Sequence, residues 1–344
     1  MSQDSALNLL LNMLRSEREP CLWVADEHVA GIQQIPVNPA VEVISNRFDV
    51  ADALSRQGWN SHFSDLDFSH LEDQSFTTVY FRLAKEKPLV NHVINQASRL
   101  LKAGGRLIIS GEKQQGIKTY AKKAGQCLAG KAEIKKHGQH YLATISRGQQ
   151  ESALLDDKDY SHLRSTLQYQ GIDIASKPGQ FGWDKLDKGS VLLAQQFGKI
   201  QTNAPSTILD LGCGDGFLSL AAHQQWPDAE ITATDNNAAA LISCQKNFTQ
   251  QAITGEVIAA NCAAGVTKKH DLILCNPPFH QGFSVESDLT EQFISTAKRL
   301  CKPGGCALFV VNAFIPLERL AKNHFEQQQL LVNDGHFKLF KLYN

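Results

Sequence analysis

Residues 97–110, ASRLLKAGGRLIIS, return 200 positions later as AKRLCKPGGCALFV, residues 297–310. Each copy reads as the end of a helix, a Lys-x-Gly-Gly turn and a buried strand, with the glycines expected to supply a left-handed helix stop. The flanking apolar runs repeat in the same order. CLWVA (21–25) matches TILDL (207–211), TTVYF (77–81) matches DLILC (271–275), and HYLATIS (140–146) matches FKLFKLY (337–343). Strands that alternate with helices in this way are buried as a doubly wound, mostly parallel sheet covered on both faces. A chain that does so twice is expected to be α/β, with two tandem Rossmann-like domains that arose by duplication. Its 344 residues suffice for both.

The copies differ where chemistry would sit. TILDL runs into Gly212-Cys213-Gly214-Asp215-Gly216, whereas CLWVA runs into DEHVAG, which has a single glycine. DLILC is followed by Asn276-Pro277-Pro278-Phe279, and TTVYF by RLAKEKP. The expected organisation is a degenerate copy without a cofactor site over residues 1–147, a polar linker over 148–159 and a working domain over 160–344.

In the working domain, TILDLGCGDG places a strand before a glycine-rich turn, and FLSLAAHQQW follows with helical apolar spacing. Missing Cβ atoms at Gly212, Gly214 and Gly216 let a ligand approach the backbone at the strand's carboxyl end. The spacing is G-x-G-x-G rather than the dinucleotide G-x-G-x-x-G, and Asp210 precedes it. A carboxylate there repels a pyrophosphate and attracts an ammonium group, which favours S-adenosylmethionine. Asp235 ends the next strand, AEITATD, and is placed to accept hydrogen bonds from ribose hydroxyls. It could also cap the helix that follows. Asn261 ends the third strand, GEVIAAN, where an adenine amino group can be read.

Asn276 offers a side-chain acceptor, and Pro277 and Pro278 fix φ and keep their carbonyls out of a helix. Phe279 offers a flat face for stacking. Two acceptors aimed at one point suit an exocyclic amine, a poor nucleophile that must be oriented and relieved of a proton as it attacks. His280 reads as a base or, in preference, as a polar rim residue, since the acceptor pair already accounts for the proton's path.

DLGCGDG, Asp235 and NPPF together resemble class I S-adenosylmethionine-dependent methyltransferases acting on planar amino groups. With the duplication, KPGQFGWDKLDKGSVLL (177–193), NPPFHQG and VVNAFIP (310–316), the chain resembles the ribosomal RNA small subunit methyltransferase C family over nearly its whole length. The resemblance implies two class I methyltransferase-like domains, of which the C-terminal one binds the cofactor. It also implies methylation of N2 of one guanine in 16S ribosomal RNA of the assembled 30S subunit. Asp210, Gly212, Cys213, Gly214, Gly216, Asp235, Asn261 and Asn276 would then hold the cofactor. Phe181, Asp187 and Ser190 would line its outer side, and Asn276, Pro277, Pro278 and Phe279 would hold the target base.

From Gly111 to His140 seven lysines, Lys113, Lys118, Lys122, Lys123, Lys131, Lys135 and Lys136, face only two acids, Glu112 and Glu133. They form either a solvated face or a phosphate-binding one on the inactive copy. The net charge of −1 excludes a globally basic nucleic-acid binder. The N-terminus reads as an amphipathic helix rather than a signal peptide, and no apolar run is long enough to span a membrane. The eight cysteines lack a C-x-x-C pair and are expected to be buried, reduced thiols. A cytoplasmic monomer without a metal is expected. Adenine-N6 or 23S guanine-N2 methylation of RNA, glutamine-N5 methylation of a protein, and a non-catalytic RNA-binding assembly factor remain as alternatives. The last has no use for an intact glycine loop and Asn276.

Overall fold

The computed structural model describes residues 4–29, 36–150, 153–200, 204–278 and 283–344, with side chains left aside at 283–287. It forms two compact units, Met1–His162 and Leu163–Asn344. The first runs α1 (Ser5–Leu14), β1 (Cys21–Val24), β2 (Val41–Ser45), α2 (Phe48–Arg56), β3 (Asn60–Phe63), β4 (Phe76–Arg82), α3 (Lys87–Leu100), β5 (Leu101–Glu112), α4 (Ile117–Cys127), β6 (Ala132–His137) and β7 (His140–Ser146). The second opens with a hairpin, β8 (Arg164–Tyr169) and β9 (Ile172–Ser176), and then α5 (Lys188–Ala194). It continues β10 (Thr207–Leu211), α6 (Phe217–Gln225), β11 (Glu230–Asp235), α7 (Ala238–Gln250), β12 (Gly255–Ala259) and β13 (His270–Cys275). It closes with α8 (Phe283–Leu300), β14 (Cys301–Asn312), α9 (Leu317–Ala321), β15 (Gln327–Asn333) and β16 (Phe337–Tyr343).

Each unit holds a seven-stranded sheet. The orders, β3-β2-β1-β4-β5-β7-β6 and β12-β11-β10-β13-β14-β16-β15, are the same. Six strands of each sheet run in one direction and the seventh, β7 or β16, runs against its two neighbours, so the duplication is realised strand for strand. The apolar runs are continuous because both faces are covered: Leu22 and Val24 enter one core cluster, Cys21 and Trp23 the other.

The repeated Lys-x-Gly-Gly turn is matched atom for atom. Gly104 N–H donates to Arg147 O at 3.0 Å, and Gly304 N–H to Asn344 O at 2.8 Å. A Cβ on Gly105 would lie 2.9 Å from Lys102 O, and one on Gly305 2.7 Å from Asp271 O, so neither place admits a side chain. The expected left-handed helix stop is not what these glycines supply. Helix α3 ends on Leu101 in extended conformation, and the left-handed residue is Gly104, inside the excursion where β5 leaves and regains register with β4.

The stretch 148–159 is not a free linker where it is described. Asn95 Nδ2 donates to Leu155 O at 2.9 Å, Asn91 Nδ2 donates to Asp156 O at 2.7 Å, and the His92 ring meets the Asp157 carboxylate at 3.1 Å. Tyr160 is buried and donates its hydroxyl to Asp65 at 2.9 Å. Buried donors on α3 capture these groups, so a polar sequence becomes part of the first unit.

Candidate active site

The site of the second unit lies along the carboxyl edge of β10, β11 and β13. Leu211 pairs with Cys275, which sets Gly212 and Asn276 side by side where the two strands end. Gly212, Gly214 and Gly216 all have left-handed φ, at 80°, 56° and 85°. Their surroundings separate their roles. A Cβ on Gly216 would lie 2.8 Å from Cys244 Sγ, so this glycine admits α7. One on Gly212 would lie 3.2 Å from the Phe293 ring, whereas one on Gly214 would meet nothing within 4 Å. Gly214 is therefore the position open to a ligand.

Asp235 ties the second strand to this loop. Its Oδ2 accepts from Gly214 N–H at 2.9 Å, and its Oδ1 accepts from Asn236 and Asn237 N–H at 2.7 and 2.8 Å. The cap of α7 is Asn237, whose Oδ1 accepts from Ala240 N–H. Asp235 is thus neither a helix cap nor buried, and its partly exposed carboxylate remains at the ligand edge. Asp235 pairs with Ala259, which brings Asn261 to the same edge at the head of a short turn with left-handed Cys262 and Ala263.

Asp210 is fully buried beneath α6. Its Oδ2 accepts from Ser219 N–H at 3.0 Å and from Ser219 Oγ at 2.6 Å, while its Oδ1 has no partner among the described residues. Burial lifts its carboxyl to about 7, against the Ser219 hydrogen bonds, and Asp235 and Asp215 push the same way. Asp210 therefore offers no exposed contact for an amine. Burial also raises Asp215, which feels Asp187 and Asp235. Four carboxylates thus crowd the glycine loop, a field that welcomes a cation and rejects a pyrophosphate. Cys213 is buried, and its thiol, hydrogen-bonded with Cys244, lies well above its usual range. Cys213 therefore packs the loop from below.

Asn276 is held by α5. Its Nδ2 donates to Asp187 Oδ1 at 2.7 Å and to Ser190 Oγ at 2.8 Å. Asp187 is itself the cap of α5, accepting from Ser190 N–H at 2.8 Å. With both amide hydrogens engaged, the carbonyl Oδ1 of Asn276 is left as the acceptor. Pro277 is buried and Pro278 exposed. Phe279 and His280 lie outside the described residues.

The structure thus brings Asp187, Ser190 and Asn276 together, and Asp187 and Ser190 orient the amide. Phe181 stands exposed in the 177–187 segment. That segment is anchored by residues the sequence did not single out. Gly179 O accepts from Asn237 Nδ2 at 2.9 Å, and buried Gln180 donates to Ser243 Oγ at 3.1 Å. Asn247 joins Ala175 to the loop, donating to Ala175 O and Asp215 O at 3.0 and 2.8 Å and accepting from Ala175 N–H. Asn237 carried a cap signal before an alanine-rich run. Asn247, in mid-helix, carried none.

The seven lysines of the first unit are not one face. Lys118 lies over the Tyr141 ring at 5.4 Å, and Tyr141 pairs with Lys136, on the α4 side of the sheet. Lys135 is the next residue along β6 and points to the opposite side. Strand β6 is exposed at every residue.

Comparison with known proteins follows the same division. The Methyltransferase small domain family model matches residues 171–341, and the Methyltransferase small domain N-terminal model matches 19–157. Ribosomal RNA small subunit methyltransferase C of Haemophilus influenzae (strain PittGG) is 31% identical over 303 residues, covering 84% of this chain and 88% of that protein. The protein of the same name from Shewanella pealeana is 30% identical over 278 residues, 80% of each chain. Among solved structures, the T. thermophilus 16S rRNA N2 G1207 methyltransferase in complex with AdoMet and guanosine superposes with a TM-score of 0.83 at 23% identity, covering 100% of this chain and 92% of that one. These two sheets, this glycine loop and these relatives make the chain a member of the ribosomal RNA small subunit methyltransferase C family.

Proposed function

We propose that this protein transfers a methyl group from S-adenosylmethionine to the exocyclic N2 of one guanine in 16S ribosomal RNA. We propose further that it acts as a monomer on the assembled 30S subunit in the cytoplasm. The observation that carries the reading is the orientation of Asn276, whose amide hydrogens are spent on Asp187 and Ser190, leaving its carbonyl as an acceptor beside the glycine loop. Among the described residues no helix is long and apolar enough to cross a membrane.

The residues fit the cofactor. The sulfonium and ammonium of S-adenosylmethionine match the carboxylates around the loop, and the open face of Gly214 admits close approach. Asp235 keeps an acceptor edge for ribose hydroxyls, and Asn261 serves the adenine end. Phe181 covers the outer side, while Asp187 and Ser190 act through Asn276. When bound, the cofactor supplies an electrophilic methyl group. The Asn276 carbonyl and the Pro277 carbonyl accept the two hydrogens of the target amine, aim its lone pair and stabilise the charge that grows on nitrogen. Pro278 and Phe279 complete the base pocket, with Phe279 stacking on a base drawn out of its helix. The first unit, without a glycine loop, positions RNA through its lysines.

The test is methyl transfer from labelled cofactor to 30S subunits, naked 16S RNA, large subunits and release factors, followed by nucleoside analysis. N2-methylguanosine in 16S RNA of 30S subunits is expected. Label in N6-methyladenosine, in 23S RNA or in a protein glutamine would overturn the substrate assignment. In single turnover with saturating partners, Asn276→Ala should slow transfer about 100- to 1000-fold by losing one acceptor, with cofactor affinity unchanged. Wild-type transfer by that variant would overturn the acceptor-pair mechanism.

A further inference from the structure

The first unit carries a group of side chains that methyl transfer does not use. Glu42 on β2, His62 on β3 and His70 in the β3–β4 loop each turn one ligand atom toward a common point, all within 4.8 Å of one another. We propose that these three residues form a binding site for a zinc-class divalent cation.

The distances favour ligation over ion pairing. Glu42 Oε1 lies 3.5 Å from His62 Nε2 and 3.6 Å from His70 Nε2. A charge-assisted hydrogen bond would draw such atoms to about 2.7–2.9 Å. Ligands bound at about 2.0–2.1 Å to a tetrahedral ion stand roughly 3.4 Å apart along each edge, close to the two glutamate–histidine separations. Two imidazole nitrogens and one carboxylate oxygen are a borderline-soft donor set, suited to zinc and poorly suited to calcium or magnesium, which take oxygen ligands.

The site is built from the fold. Glu42 pairs with Asn60 and Ile44 with His62, so Glu42 and His62 project from one side of β2 and the neighbouring edge strand β3. Buried Leu66, Phe68 and Leu71 hold the loop that carries His70. Both histidine rings are about half exposed, while Glu42 is more enclosed, so a bound ion would keep one coordination position toward solvent. Ligation would staple the β3–β4 loop to the sheet edge. No metal motif announced the site, because its ligands come from three elements and share no short spacing.

The experiment uses the full chain, reduced, stripped of metal and titrated with zinc chloride by calorimetry and with cobalt chloride by visible absorption. One equivalent should bind, and cobalt should develop the spectrum of nitrogen and oxygen ligation without a thiolate charge-transfer band. His62→Ala and His70→Ala should each weaken binding at least about tenfold, since losing a ligand costs no less than disturbing its outer partner. Zinc should raise the melting temperature of the wild type and not of the double variant, and methyl transfer by both variants should match the wild type. Absence of zinc binding by the wild type, binding retained by the double variant, or a thiolate band would each overturn the proposal.

Discussion

Asp210 illustrates what a single buried carboxyl does in this site. Its pKa of about 7, raised by burial, leaves it near half-protonated at neutral pH without cofactor. A cation bound beside it favours the ionised form, so binding must release protons and affinity must climb as pH rises through about 7. Calorimetry in two buffers of different ionisation enthalpy should show that release, and Asp210→Asn should diminish it. Folding has its own sign. A carboxyl with a folded pKa above its unfolded value of 3.8 adds stability at low pH, and that contribution is lost as pH rises toward 7. Buried His270 is the converse, depressed from 6.5 to about 4, so its contribution is lost as pH falls between those values. The acids were legible in the sequence because they sit at strand tips. The Asp187–Asn276 bond was not, since it joins positions far apart in the chain and depends on where α5 docks.

At the level of elements, the glycine loop is one turn with two jobs. Gly216→Ala places a Cβ against Cys244 Sγ and at φ 85°, so it should cost stability first. Gly214→Ala meets no neighbour and bears only the left-handed penalty of about 1–2 kcal/mol, but its methyl group occupies the ligand's approach. Gly214→Ala should therefore weaken cofactor binding with the smaller fall in melting temperature, and Gly216→Ala should show the larger fall. Equal behaviour in both readouts would refute the division. Strands were legible here because burial on both faces writes an unbroken apolar run, as in TILDL and DLILC. Residues 155–157 lie in a polar stretch of sequence yet are bound, because their partners, Asn91, Asn95 and His92, lie inside a helix whose buried face only the fold reveals.

On the scale of the molecule, two sheets of identical order carry different chemistry. Replacing Lys118, Lys122 and Lys123 with glutamine should reduce the log–log salt slope of RNA binding by about 0.7–0.9 for each phosphate no longer neutralised, with cofactor affinity unchanged. An unchanged slope would make them a solvated face. Calorimetry should also find one cofactor per chain. In the first unit Val24 pairs with Phe81 as Leu211 pairs with Cys275, so Arg82 stands where Asn276 does. Asp4, the cap of α1, binds Arg82 at 2.9 Å just as Asp187, the cap of α5, binds Asn276, and Asp26 adds a second ion pair at 3.2 Å. Arg82→Ala should therefore destabilise the first unit without creating a second cofactor site. That exchange works as an evolutionary ratchet. Restoring asparagine alone would give Asp4 a partner of the kind Asp187 has, but would strip Asp26 of its arginine. A lineage retracing its steps would have to rewrite Asp26 and a glycine loop before any gain in fitness appeared, which leaves this half free to drift toward new uses and slow to regain an old one.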